Sequence, residues 1–259
     1  MTSLITPNRN GATGVVTLSR PEKLNALSQA LMSELTDTLH QLALDQELRA
    51  VIINGAGDRA FSVGTDIAEL SGLDESRARE TAKRGQACCK AITEFPVPVI
   101  AAVNGIAAGG GCELVLACHL RVASDTATFS LPETKLGMIP AYGGTQRLAQ
   151  EIGLGRAIEV MLTGRVLTAA EALSCGMINR VVGPGELMTA AKMLANEIGA
   201  LAPLAIRACL KAVTQGFDLR LPEGLALEAQ LFASLFNTQD VREGTRAFLE
   251  KRQPVFSGK

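Results

Sequence analysis

Val103-Asn-Gly-Ile-Ala-Ala-Gly-Gly-Gly-Cys-Glu-Leu114 joins the end of an apolar strand to the start of an apolar helix through three consecutive glycines. Upstream, Pro96-Val-Pro-Val-Ile-Ala-Ala-Val103 reads as a buried strand that Asn104-Gly105 turns. Downstream, the apolar residues that follow Glu113 predict a helix over about 109–118. Glycine lets a ligand approach the backbone with no side chain in the way. The first-turn N–H groups of a helix point outward and carry partial positive charge. Such a site suits a phosphate or an oxyanion that develops during reaction; the ordinary alternative is tight packing at a helix start. The spacing Gly105-x-x-x-Gly109-Gly110-Gly111 does not match G-x-G-x-x-G, and neither G-x-x-x-x-G-K-[ST] nor G-x-S-x-G occurs. Dinucleotide, phosphate-loop and nucleophile-elbow chemistry all lose support.

Working outward, strands and helices alternate. Residues 13–19 form a β-branched strand. Leu31, Leu35, Leu39 and Leu42 mark an amphipathic helix from Ser28, its N-cap, to Asp45. Residues 49–54 predict another strand and 74–93 a helix whose Arg77, Arg79, Lys83 and Arg84 read as a solvated face. Short strands follow near 120–124, 127–131 and 178–182. Helices are expected near 143–152, 155–162, 168–174, 186–200, 203–215, 222–236 and 239–252. This order predicts α/β layers with a helical C-terminal piece. The division expected is a core over 1–200 that carries the site and a helical region over 201–259.

The 259 residues are 47% hydrophobic and 20% charged, enough apolar content for a sizeable core. With 25 Lys+Arg against 26 Asp+Glu there is no basic footprint, and one Tyr with no Trp leaves few stacking platforms, so nucleic acid is not an expected partner. Met1–Asn10 lacks the pattern of a secretory signal, and no run has the roughly 18 apolar residues that span a bilayer. A soluble cytoplasmic protein is expected, with no membrane partner. Cys88, Cys89, Cys112, Cys118, Cys175 and Cys209 form no C-x-x-C pair and have no nearby His at ligand spacing; they read as small buried reduced residues, and no metal is expected. His40 and His119 read as structural or solvated, which leaves a Ser-His-Asp hydrolase without its base.

Two carboxylates stand out. Glu113 lies in the first turn of the glycine-led helix, where a simple dipole-complementing role is the plain alternative. Glu133 follows an apolar strand in Leu131-Pro-Glu-Thr-Lys-Leu-Gly137; a loop carboxylate is ordinarily solvated. Ala60-Phe-Ser-Val-Gly-Thr-Asp-Ile-Ala68 reads as a turn into a short helix capped by Thr65 or Asp66.

Taken together, Ala60–Ile67, Asn104–Leu114, Phe129–Glu133 and Leu136-Gly-Met-Ile-Pro-Ala-Tyr-Gly-Gly-Thr-Gln-Arg-Leu148 resemble the crotonase (enoyl-CoA hydratase/isomerase) superfamily. The resemblance runs from about residue 12 to 256 and continues through Leu162–Arg165, Gly176–Val182 and Glu243–Arg252. It implies a crotonase-like spiral of β-β-α turns with a helical C-terminal region used in trimerisation, as a homotrimer or homohexamer. It implies an acyl-CoA thioester substrate and no separate cofactor, since coenzyme A is part of that substrate. The oxyanion-hole N–H groups match Thr65 and Gly110, and the two hydratase glutamates match Glu113 and Glu133. Lys23, Ala26, Val63 and Ile67 match coenzyme A contacts, and Met138 and Tyr142 are candidates for the acyl pocket. Where many relatives carry Lys after Asp66-Ile67, Ala68 stands here, so one cationic contact to the nucleotide is missing; Tyr142 replaces a residue that is often small.

What the resemblance implies chemically is reversible hydration of a 2-trans-enoyl-CoA to a 3-hydroxyacyl-CoA. Water attack at the β-carbon pushes charge onto the thioester oxygen, which two N–H donors stabilise. Glu113 is expected as base toward water, with Glu133 tied to the α-proton. The alternatives are an enoyl-CoA isomerase or a specialised acyl-CoA dehydratase, and more remotely a non-catalytic acyl-CoA- or RNA-binding relative.

Overall fold

The computed structural model describes residues 3–259. Strands β1 (Ile5–Asn10) and β2 (Thr13–Leu18) form an antiparallel hairpin, and helix α1 (Gln29–Ala43) follows, with Ser28 Oγ accepting from Leu31 N at 3.2 Å as its cap. Next come β3 (Ala50–Gly55), β4 (Ala60–Ser62), α2 (Ile67–Leu70) and α3 (Glu75–Thr93). The following turn is β5 (Val99–Val103), β6 (Ile106–Ala108) and α4 (Gly110–Ala117). Then β7 (Leu120–Ser124) and β8 (Thr128–Ser130) lead to α5 (Gly144–Ile152), α6 (Leu154–Thr163), β9 (Leu167–Thr168), α7 (Ala169–Ser174) and β10 (Arg180–Val182). Helices α8 (Leu187–Gly199), α9 (Pro203–Gly216), α10 (Leu221–Leu235) and α11 (Gln239–Glu250) complete the chain.

Among the described residues the strands form two sheets. One runs β1-β2-β3-β5-β7-β10, parallel except at the hairpin; the other runs β4-β6-β8-β9. Each turn of the chain thus lays one strand on the large sheet, one on the small sheet and then, in the first turns, a helix: the β-β-α spiral. Strands β4, β6 and β9 of the small sheet, and β1, go beyond the sequence reading, which includes β8. Strands of two or three residues leave no periodicity to detect, and the polar Thr6-Pro7-Asn8-Arg9-Asn10 of β1 fits an exposed edge.

Side-chain alternation divides the large sheet between two cores. Val51, Ile53, Val99, Ala101 and Val103 face the main core with α1, α3 and α4. Ala50, Ile52, Ile100 and Ala102 face the other side, where α8 covers them with Ala191, Leu194 and Ala195. Buried Arg121 ties down the carbonyl end of α4. Its guanidinium donates to Val115 O, Leu116 O, Cys118 O and Met177 O at 3.0–3.1 Å and pairs with Glu151 at 2.6 Å. Cation and carbonyl dipoles attract there, and the helix bearing the glycine run is held rigidly. Four cysteines are buried, as read; Cys175 is half-buried and Cys209 exposed, and all six are free.

Candidate active site

The site begins with a locked loop. Leu24 and Asn25 are both left-handed, at φ 52° and 56°, a costly conformation for residues with a Cβ. Fully buried Asn25 holds it: Oδ1 accepts from Arg20 N at 3.0 Å, and Nδ2 donates to Ala56 O and Ala60 O at 3.0 and 2.9 Å. Leu27 and Thr65 then pair as a parallel bridge, so the loop and the Val63–Ile67 segment lie side by side. Asp66 caps α2 and accepts ion pairs from Arg20 at 3.1 Å and Lys23 at 3.6 Å; the Arg20 hydrogen bond holds its carboxyl below the usual range. Lys23, Ala26, Val63 and Ile67 therefore gather on one rim, although the Val63 N–H is already spent on Leu24 O. Sequence reasoning missed Arg20 and Asn25, which set this rim.

Across from it, α4 starts at the glycine run. Gly109, not Gly110, takes the left-handed conformation, with φ 52°. Gly64 packs so tightly here that a Cβ on it would sit 2.7 Å from Ala108 O and 2.9 Å from Gly110 N. That approach sets Thr65 beside Gly110. Among the described residues neither the Thr65 N–H nor the Gly110 N–H donates within the chain. Two free donors next to a helix N-terminus are what a developing oxyanion requires.

The carboxylates converge on the same end of α4. Glu113 is 2% exposed, and its Oε1 accepts from the Tyr142 and Gly144 N–H groups, both at 2.7 Å. Burial pushes its pKa up to about 7; the Gly144 N–H pulls back, the nearby Glu133 charge adds to the rise, and the Tyr142 N–H opposes it. Glu133 Oε1 lies 3.0 Å from where a Gly109 Cβ would be, and its Oε2 is buried without a partner. Burial raises this carboxyl too. An unpartnered buried oxygen leaves room for a substrate or water proton. The backbone cradle from Tyr142 and Gly144 was not read from the sequence, although the Gly143-Gly144 pair marks a place where a side chain gets close.

Tyr142 reaches from this cradle to the rim. It is buried, and its hydroxyl is hydrogen-bonded to Thr65 Oγ1 at 2.9 Å. It borders a cavity of about 530 Å³ between α1, α2 and α3 that Leu27, Met32, Thr65 and Leu70 also line. That volume lies within the usual range for ligand pockets, about 300–1,000 Å³. Met138 is not brought to this cavity; it is exposed, its N–H donating to Glu133 O at 3.0 Å. His119 uses both ring nitrogens structurally, toward Val99 N and Thr93 O at 2.9 Å, and burial lowers its pKa. Among the described residues no group of three or more His, Cys, Asp or Glu is placed to hold a metal.

Comparison with known proteins identifies relatives of the whole chain. The enoyl-CoA hydratase/isomerase family model matches residues 8–259. A short-chain-enoyl-CoA hydratase of Clostridium acetobutylicum is 39% identical over 95% of this chain and 94% of its own length. A crotonyl-CoA hydratase of Syntrophomonas wolfei is 40% identical over 95% and 94% of the two chains. The crystal structure of an enoyl-CoA hydratase from Bacillus anthracis superposes with a TM-score of 0.96 at 38% identity, covering 99% of this chain and all of that one.

Proposed function

The chain belongs to the enoyl-CoA hydratase/isomerase family, and from that premise we propose that it adds water reversibly to 2-trans-enoyl-CoA, giving the 3-hydroxyacyl-CoA. The observation that carries this reading is the pair Glu113 and Glu133 meeting at the glycine-led end of α4, beside two free N–H donors. Family chemistry that moves only a double bond needs one proton carrier; a second carboxylate supports the handling of water.

In the forward direction the thioester oxygen accepts from Thr65 and Gly110 N–H. Glu113 takes a proton from water as its oxygen bonds to the β-carbon, and the C=C electron pair moves toward the thioester. Glu133 delivers its proton to the α-carbon. The water proton now on Glu113 returns to Glu133 through the site or solvent, which resets the pair. Each N–H that strengthens on the developing enolate oxygen contributes about 2.7–4 kcal/mol. Rim residues Lys23, Ala26, Val63 and Ile67 would receive the coenzyme A portion.

This mechanism needs one proton on the carboxyl pair. Their apparent pKa values belong to the pair, and burial raises the last dissociation, with Glu113 pushed up to about 7. Hydration kcat/KM is therefore expected to fall as pH rises through about 7, when that proton leaves, and to fall again in acid, when both carboxyls are protonated. A pH–rate profile that stays level from about pH 5 to about pH 9 contradicts a titrating acid/base pair.

The assembly we infer is a homotrimer or homohexamer. Helix α10 has no buried residue; Leu221, Leu225 and Phe232 are exposed on it and Phe236 at its C-cap, with Phe232 and Phe236 meeting edge to face at 5.0 Å. An apolar face of this kind is suited to a subunit contact. Light scattering is expected to give a trimer or hexamer; a stable monomer at micromolar concentration contradicts it. The reaction itself is tested by incubating the protein with 2-enoyl-CoAs and following loss of the conjugated thioester absorbance. No loss with any chain length overturns the hydratase reading.

A further inference from the structure

Tyr142 is held at three points. One ring edge lies against Gly85 of α3, where a Cβ would fall 1.9 Å from Cδ1. The opposite edge lies against Gly110 of α4, where a Cβ would fall 3.0 Å from Cε2. At the tip, the hydroxyl is hydrogen-bonded to Thr65 Oγ1 at 2.9 Å. The ring therefore bridges α3 and α4 and is fastened to the residue whose N–H faces the thioester. The cavity between α1 and α3 includes Thr65, Gly85 and Tyr142 in its lining, but neither Gly110 nor either glutamate. One face of the crossbar is the reacting end; the other is about 530 Å³ of space.

We propose that Tyr142, latched to Thr65 and seated between Gly85 and Gly110, is the specificity-determining residue that limits this enzyme to short-chain 2-enoyl thioesters. The inference rests on the hydratase reading for the kind of substrate and on the ring's placement for its length. A short acyl group ends before the ring. A longer one must pass through the space that the ring fills to reach the cavity behind it. Rotation of the ring about its own axis leaves that outline unchanged, and the edge contacts at Gly85 and Gly110 resist sideways displacement because close-packed interiors yield little. The absence of a Cβ at position 85 is what admits the ring: the sequence supplies Gly in the middle of α3, where a helix is otherwise weakened by it.

The test measures kcat/KM on four-, six-, eight- and ten-carbon 2-enoyl-CoAs for the parent, Tyr142→Ala, Tyr142→Phe and Tyr142→Leu. For the parent, kcat/KM is expected to fall at least about tenfold, ~1.4 kcal/mol, between four and eight carbons. Tyr142→Ala should raise the eight-to-four-carbon ratio at least about tenfold. Tyr142→Phe keeps the ring without the latch and should raise it less, and Tyr142→Leu, which retains a buried apolar side chain, supplies the same comparison if the alanine variant does not fold. A ratio within about twofold of the parent's in the folded alanine or leucine variant overturns the proposal, as does a parent that favours the longer chains. Calorimetric titration with butyryl-CoA and octanoyl-CoA reads the same ratio without turnover. Parent protein that binds butyryl-CoA in preference but hydrates nothing would sink the hydratase reading and leave the length limit standing.

Discussion

Glu113→Gln and Glu133→Gln should each lower kcat for hydration by at least about 10²-fold while acyl-CoA binding persists, because positioned acid/base groups contribute about 10²–10⁴. The folded structure should survive both changes. A glutamine carbonyl at 113 still accepts from the Tyr142 and Gly144 N–H groups that Oε1 now serves. Stability gives an independent check. The folded pKa of Glu113, about 7, lies above its ordinary value of 4.5. The folded state thus favours the protonated form, and that stabilisation is complete below the unfolded value and lost as pH rises through about 7. Glutamine cannot ionise, so Glu113→Gln should gain stability relative to the parent as pH rises over this window, while losing activity. Chemical denaturation at several pH values reads the first effect and steady-state kinetics the second. Near-normal turnover of crotonyl-CoA by either variant removes the two-carboxylate mechanism.

Gly110→Val should cost about 10²–10³ in kcat/KM, the scale of losing one oxyanion donor. A Cβ at 110 would stand 3.0 Å from the Tyr142 ring and 3.3 Å from Leu27 Cδ1, so these neighbours must shift for the Cβ alone, before the two further methyl groups of valine are added. The collision shifts the Tyr142 ring or the Gly110 backbone, and with it the N–H that the thioester oxygen has to meet. The loss comes from displacement and not from backbone strain, because the left-handed residue is Gly109. Tyr142 and Leu27 belong to the main core, so some loss of thermal stability is expected beside the kinetic loss, while the core under α8 is not touched; thermal unfolding and light scattering check that the variant is folded and assembled. Turnover within about threefold of the parent, below roughly 0.7 kcal/mol, would mean that Gly110 does not border the thioester.

How much of this was legible in the sequence follows from what each feature depends on. The inner strands of the large sheet are β-branched runs of five or six residues, and α1, α3 and α8 carry regular apolar spacing, so each declares itself locally. The strands β4, β6 and β9 are too short for any period, and they exist because the spiral stacks them. Hairpin β1–β2 had one local sign, Asn10-Gly11, with Gly11 at φ 58°, but the polar strand before it concealed the pairing. At the site, the chemistry-bearing residues were visible because Glu113 and the glycines sit within one short motif. The relation between Gly85 and Tyr142 was not, because 57 positions separate them and only packing brings them together. Asn25 likewise looks like an ordinary turn residue until its side chain is seen holding three backbone groups.

The most direct test is isotopic. The purified protein is mixed with crotonyl-CoA in water enriched in oxygen-18, and the acyl product is analysed by mass spectrometry. Hydration predicts a 3-hydroxyacyl-CoA heavier than the substrate by one labelled water, with the label on the β-carbon. A product of unchanged mass with a migrated double bond, or unchanged substrate, would contradict it.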